Sequence, residues 1–199
     1  MSVIAQILGA DMPITEQQKL ATVVEIFETL FIEHYRVCLI GGAQEPLYRP
    51  ASGVDDLNRI FYRADYLSSA LHEVAHWCIA GQERLLMQDF GYWYRPDGRS
   101  NLEQRQFEEV EIKPQALEWM FSIACGHRFS VSLDNLDGSD IDDCAALQSF
   151  KHKIAKQCIE WCQLGKLPSR ADRFIEGLMA TFAALDPYDA DLYQSSLGC

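Results

Sequence analysis

The stretch "ALHEVAHWCIAG", Ala70–Gly81, decides how this chain is read. It places His72, Glu73 and His76 within five consecutive positions of a 199-residue chain that has five histidines. On an α-helix, residues four apart lie about 6 Å apart along the axis and on nearly the same face, so both imidazoles can converge on one ion. The pattern is HExxH, in which a glutamate follows the first ligand and can act as a general base. Such a reading needs a helix, and Tyr66, Ala70, Leu71, Val74, Cys78 and Ile79 supply the apolar faces to bury one over about 65–80. Gly81 is placed to stop it. The plain alternative is two histidines on an amphipathic helix with no metal.

Two histidines leave a site incomplete, so a third ligand is expected from elsewhere. The source is "FEEVEIKPQALEWMF", 107–121, which carries Glu108, Glu109, Glu111 and Glu118. Glu108, Glu111 and Gln115 share a helical stripe with the apolar Ile112. A carboxylate on a core-facing stripe is costly unless it is paired or metal-bound. Glu111 is the first choice and Glu108 the second, while Glu109 and Glu118 are expected on a solvated acidic face. Pro114, inside this segment, removes a backbone donor and crowds the carbonyl of Val110, so a kink or restart is expected there.

Outward from these segments, Thr15 with Gln18 forms a capping box that opens a helix over about 16–35. "RVCLIGG" and "NRIFYR" read as strands, and "EPLYRPASGVDD" between them as a loop. "LLMQDFGYWYRPDGR" reads as an aromatic strand closed by a Pro-Asp-Gly turn. Ser100 with Glu103 caps the helix that carries Glu111, and "SVSLDNLDGSDIDD" is a polar connection. Further helices are expected at about 142–164, ended by Gly165, and at about 171–185. The fold class is therefore α+β: a mostly helical single domain over 15–199, with a small sheet and an HExxH-bearing, zincin-like active-site helix. Residues 1–14 read as an N-terminal extension.

The net charge is −12 and no stretch concentrates Lys and Arg, which argues against nucleic acid as the partner. Arg95 with Arg99, and Arg170 with Arg173, are local basic spots that could touch an anion. No run of about 18 apolar residues offers a membrane span. The first residues lack a cationic signal region. The seven cysteines are scattered without a CxxC pair, so they read as reduced, mostly buried thiols of a cytoplasmic protein. Cys158 and Cys162 share a helix face, but a pair four apart without a second pair is a weak metal signal.

Five blocks together resemble the bacterial elongation factor P hydroxylase family: "EPLYRPA", "ALHEVAHWCIAG", "DFGYWYRPDGR", "FEEVEIKPQAL" and "DNLDG". They appear in the family's order and the resemblance spans about Phe27 to Leu178. It implies an enzyme that hydroxylates a lysine side chain of elongation factor P after that lysine has received a β-lysyl group. It also implies a divalent metal, Fe(II) with O2 as co-substrate, held by two histidines and a carboxylate: His72, His76 and Glu111. Glu73 matches the family's HE pair and is the catalytic candidate.

A 2-His-1-carboxylate set leaves positions open for oxygen and a co-substrate. An apolar shell of Trp77, Phe90, Tyr92, Trp93 and Tyr94 would exclude water, unless these rings are simply core. The cationic substrate needs a carboxylate or an aromatic face, for which Glu45, Asp89, Tyr92, Trp93 and Tyr94 are candidates. A zinc metallopeptidase, with Glu73 as base, uses the same ligand set and is the alternative. An interaction protein stapled by a closed metal site is a second one, although closed structural sites are usually cysteine-rich.

Overall fold

The computed structural model describes residues 14–91, 101–132 and 142–194. The first helix, α1 (Glu16–Tyr35), begins where the capping box places it: Thr15 Oγ1 accepts from the Gln18 amide at 3.2 Å, and Gln18 Oε1 accepts from the Thr15 amide at 3.0 Å. Its buried stripe is Leu20, Val23, Phe27 and Phe31, at the 3–4-residue spacing of one helix face. Strand β1 (Val37–Ala43) follows, then β2 (Leu47–Arg49) and β3 (Asn58–Arg63). The sheet order is β1-β3-β2. β1 runs parallel to β3, with Leu39 opposite Ile60, and β2 pairs antiparallel on the other edge, with Tyr48 also opposite Ile60.

The "EPLYRP" segment is thus a short strand where a loop was expected. Two prolines and a glycine mark its flanks, yet the free edge of β3 recruits the three residues between them. Gly41 lies in the irregular stretch of β1. A side-chain carbon there would stand 2.5 Å from Asp65 Oδ1 and 2.7 Å from the Tyr62 hydroxyl, so any larger residue would have to displace both side chains.

Helix α2 (Leu67–Ile79) carries the HExxH stretch. Ala70, Leu71, Val74, Ala75, Trp77 and Cys78 are buried. Trp77 meets Phe27 at 5.2 Å and Phe31 at 4.9 Å between ring centroids, so it belongs to the main core and not to a shell around the histidines. Gly81 is not the stop: it has no left-handed backbone, and the helix ends through Ala80 in an extended conformation. The stop is tertiary. Arg170 donates to the carbonyls of Cys78 and Ala80 and lies 4.5 Å over the Trp77 ring. A guanidinium at a helix C-terminus satisfies orphan carbonyls and complements the dipole. Arg170 is therefore committed inside the fold and is not a loose basic spot. Arg170→Ala is expected to cost about 1.5–3 kcal/mol, the range for hydrogen bonds to a charged group. A denaturation midpoint unchanged from the parent would refute this.

The expected aromatic strand is absent over its described part. Arg84–Leu86 and Gln88–Gly91 form short 3-10 turns, and Asp89 (φ 49°) and Phe90 (φ 56°) are both left-handed. Two such residues in succession reverse the chain instead of extending it. They are held by the Tyr48 amide donating to Asp89 Oδ1 at 2.9 Å, by Arg84 donating to the Phe90 carbonyl at 2.9 Å, and by stacking of Phe90 on Tyr48 at 4.3 Å. Tyr92, Trp93, Tyr94, the Pro-Asp-Gly turn and the Ser100–Glu103 cap lie outside the described residues or side chains, as do the extension and most of the polar connection.

Helix α3 (Asn101–Ala124) runs without interruption through Pro114, so the expected restart does not occur. The lost backbone bond is outweighed by burial: Pro114 is itself buried, and α3 packs on α2, α4 and α5. Helices α4 (Asp142–Leu164), α5 (Ser169–Phe182) and a short α6 (Asp191–Gln194) complete the domain. Gly165 is left-handed just past α4, as expected, whereas α6 has no counterpart in the sequence reading. The Cys158 and Cys162 thiols donate to the carbonyls of Ala116 and Pro187, a packing role. The result is mostly helical, with one three-stranded sheet and one core. No helix among the described residues is long and apolar enough to cross a membrane.

Candidate metal centre

Helices α2 and α3 form the site where they cross. The α2 face about 100° around the axis from Trp77 presents His72 and His76, and the α3 stripe presents Glu111 and Glu118, seven residues or about two turns apart. His76 Nε2 lies 3.3 Å from Glu111 Oε1, while His72 Nδ1 lies 2.8 Å from Glu118 Oε2. The earlier histidine meets the later glutamate, so the two helices run antiparallel through the site.

His72 Nε2 stands 3.0 Å from His76 Nε2 and 3.4 Å from Glu111 Oε2. Among the described residues this is the one group of three such side chains whose ligand atoms all lie within 4.8 Å of one another. Ligand atoms at 2.0–2.2 Å from a common ion stand about 3.0–3.5 Å apart at octahedral or tetrahedral angles, so the observed spacings fit one first-row divalent ion. The electrostatics agree. With the Nδ1–H of His72 given to Glu118, its Nε2 lone pair faces the Nε2 of His76. Two lone pairs at 3.0 Å repel unless a cation or a proton lies between them.

Burial and charge act on these groups in opposite senses. For His72 burial opposes protonation, but the hydrogen bond and charge of Glu118, helped by Glu111 and Glu73, lift its pKa to about 10. For Glu111, which is 3% exposed, burial pushes the pKa up, yet His76, His72 and a hydrogen bond from Gln115 bring it down to about 2. Glu73 is pushed up by burial, opposed by the two histidines and reinforced by Glu111 and Asp89. Both shifts favour a protonated His72 beside an ionised Glu111 in the metal-free site.

A ligand must be deprotonated, so metal loading has to expel that proton. Zinc(II) titrated into the metal-free protein at pH 7 is expected to release close to one proton. Its affinity should climb about tenfold per pH unit on the way to pH 10, as one-proton linkage requires. Calorimetry in buffers of different protonation enthalpy measures this, and an affinity flat in pH would refute it.

The structure brings together His72, His76 and Glu111 and places Glu73 and Asp89 electrostatically beside them. It keeps Glu108 half-buried outside the group, and Glu109 exposed in a pair with Lys153 at 2.9 Å. Glu118 corrects the sequence reading: it is 7% exposed and bound to His72, not on a solvated face. Its spacing of seven from Glu111 was the available signal. Phe90 lies parallel to the His76 ring at 6.4 Å, so one shell candidate does flank the site. Tyr48, read as loop, stacks on Phe90 at 4.3 Å.

The site is open on one side, since the His72 side chain keeps 24% of its surface exposed. A cleft of about 260 Å³ reaches His76 between Ile79 and Ala80 at the end of α2 and Glu109, Val110, Lys113 and Pro114 of α3. A larger cleft of about 390 Å³, lined by Arg49, Pro50, Ser52, Asp56, Arg59 and Gln88, contains none of the ligand side chains. Cleft size alone therefore does not locate the chemistry.

A sequence model of the elongation factor P hydroxylase family matches residues 26–192. A curated protein of Haemophilus influenzae named elongation factor P lysine hydroxylase is 42% identical over 183 residues, covering 92% of this chain and 99% of that protein. The matched region contains every element from the second half of α1 into α6, and with them all four of the convergent histidine and glutamate side chains.

Proposed function

The chain belongs to the elongation factor P hydroxylase family, and from that premise we propose that it hydroxylates a lysine side chain of elongation factor P, in the form in which that lysine carries a β-lysyl group. The observation that carries the chemical part of the reading is the convergence of His72, His76 and Glu111 on one point. In this reading these three residues would hold Fe(II), with O2 as the co-substrate. The ion supplies the redox chemistry that hydroxylation of an unactivated C–H bond needs and that no side chain possesses. HExxH serves here for its ligand spacing, as it does in zincins.

The chain's own groups bind, orient and exclude. Ile79, Ala80, Val110 and Pro114 give the cleft an apolar lining suited to the methylenes of a lysyl chain. Phe90, stacked on Tyr48 at 4.3 Å and parallel to the His76 ring at 6.4 Å, is the proposed apolar flank that keeps water from that side of the ligands. Asp89, with Tyr92, Trp93 and Tyr94, is the proposed partner of the substrate ammonium. Glu73 is the proposed catalytic group outside the ligand set: burial favours its neutral carboxyl, so it can hold a proton at the edge of the site. Residues 15–199 act as one hydroxylase domain in this reading, with 1–14 as an extension, in the cytoplasm where its substrate works.

A zinc peptidase would use the same three ligands with Glu73 as an indispensable base, but the family match gives that alternative no support. One experiment separates the two. Purified protein given Fe(II), oxygen and a reductant is expected to add one oxygen atom to intact β-lysylated elongation factor P, read by mass. Glu73→Gln should retain part of that activity. Cleavage of the factor that persists under nitrogen and vanishes in Glu73→Gln would establish the peptidase instead.

A further inference from the structure

We infer that Glu118 is a positioning residue of the metal centre: it fixes the tautomer and rotation of His72 so that Nε2 faces the ion, and it stays outside the ligand set. The inference rests on His72, His76 and Glu111 being the ligands. Glu118 Oε2 lies 2.8 Å from His72 Nδ1. A carboxylate accepts, so Nδ1 is the protonated nitrogen and Nε2 is the one left for coordination. That Nε2 is the atom 3.0 Å from His76 Nε2 and 3.4 Å from Glu111 Oε2. Glu118 itself does not join the group whose ligand atoms come within 4.8 Å of one another, so it acts through the imidazole.

Burial makes the contact more than incidental. Glu118 is 7% exposed, and a buried carboxylate is costly unless a charge or strong donor meets it. His72 is its ion-pair partner among the described residues. Charge balance supplies the reason to keep it there. A divalent ion with Glu111 alone leaves one positive charge in a largely buried site, and Glu118 cancels it. A carboxylate behind a histidine also makes that imidazole a better donor. One stripe of α3 thus carries a ligand and, two turns on, the group that aims the opposite ligand.

Two substitutions test this, with zinc(II) as the probe. Glu118→Leu removes the acceptor, and Glu118→Gln keeps an acceptor of the same shape but removes the charge. Zinc affinity is measured by competition with a chromogenic chelator, and the His72 ring is followed by nitrogen–proton correlation in the zinc-loaded protein. Glu118→Leu is expected to weaken zinc by about 10–100-fold, the span typical of outer partners of metal-bound histidines. Glu118→Gln should weaken it less and keep the Nδ1–H signal of His72. Should Glu118→Leu fail to fold, Glu118→Gln decides alone, because unchanged affinity in it overturns the inference. A loss as large as that of Glu111→Gln also overturns it, by making Glu118 a ligand. His72→Ala is the control: if that variant keeps zinc, the ligand assignment itself has failed, whereas its loss of zinc beside an unaffected Glu118→Leu sinks only the positioning role.

Discussion

His72→Ala and His76→Ala are each expected to abolish stoichiometric metal binding while leaving the helical content of the protein nearly unchanged. Both imidazoles point their Nε2 atoms at one another across 3.0 Å, so removing either leaves a two-point site. The loss should exceed the roughly 10–100-fold that outer partners contribute, because a coordinate bond disappears and not merely its support. The fold should survive because neither ring is part of the apolar core, which runs along the opposite face of α2. His72→Ala carries a secondary effect, since it leaves Glu118 buried without its partner and costs stability in the metal-free protein. His76→Ala has no such orphan at Glu118 and should melt closer to the parent. Glu111→Gln should join the metal-binding defect, and Glu109→Gln, exposed and paired with Lys153, should be silent. Metal content by elemental analysis after purification reads all four. Full occupancy in both histidine variants would place the metal elsewhere.

The largest expected loss of stability follows from the residue next to His76. Trp77→Ala should cost about 3–5 kcal/mol, the usual range for truncating a fully buried aromatic ring. Against a total of about 5–15 kcal/mol for a domain, that is enough to leave a substantial unfolded fraction on mild heating. Trp77 is 1% exposed and makes ring contacts with Phe27, Phe31 and Tyr35, while Arg170 lies over its face. Removing the ring opens a cavity that three helices would have to collapse into, and it strips the apolar platform from the arginine that ends α2. Trp77→Phe keeps an aromatic at the centre and should lose appreciably less. Urea unfolding followed by far-ultraviolet circular dichroism measures both variants. A loss below about 1 kcal/mol in Trp77→Ala would show that the ring sits at a site able to close up, which its neighbours argue against.

These two outcomes separate adjacent residues by function, and the separation comes from helix geometry alone. Neighbours in sequence are about 100° apart around the axis, so His76 can face the metal centre while Trp77 faces the core. Wherever the relevant physics is that local, the chain states it openly. The Thr15–Gln18 cap, the stripe from Leu20 to Phe31, the His72–His76 spacing and the placement of Glu111 on an inward face all depend on residues within a turn or two of each other, and each stands where the pattern puts it. Between the first and second choices for the carboxylate, it is Glu111 and not Glu108 that the packing of α3 on α2 brings to the two histidines.

What the chain could not state by itself is what a partner element brings to a position. Glu118 lies on the same stripe as Glu111, but a carboxylate seven residues on reads as solvated until another helix delivers a histidine to it at 2.8 Å. β2 is three residues long and exists because β3 has a free edge; its own residues do not demand a strand. The left-handed pair Asp89–Phe90 looks like part of an aromatic strand until Tyr48 and Arg84, 41 and 6 residues away from their respective partners, hold the chain in a turn. Pro114 is tolerated mid-helix, and Gly81 is unused as a stop, for one reason: burial of α3 and capping by Arg170 outweigh local preferences of roughly 1–3 kcal/mol. The sequence determined which residues could meet on one helix face, and tertiary packing decided which histidine and carboxylate atoms come within reach of one another, because those energies exist only between elements far apart in the chain.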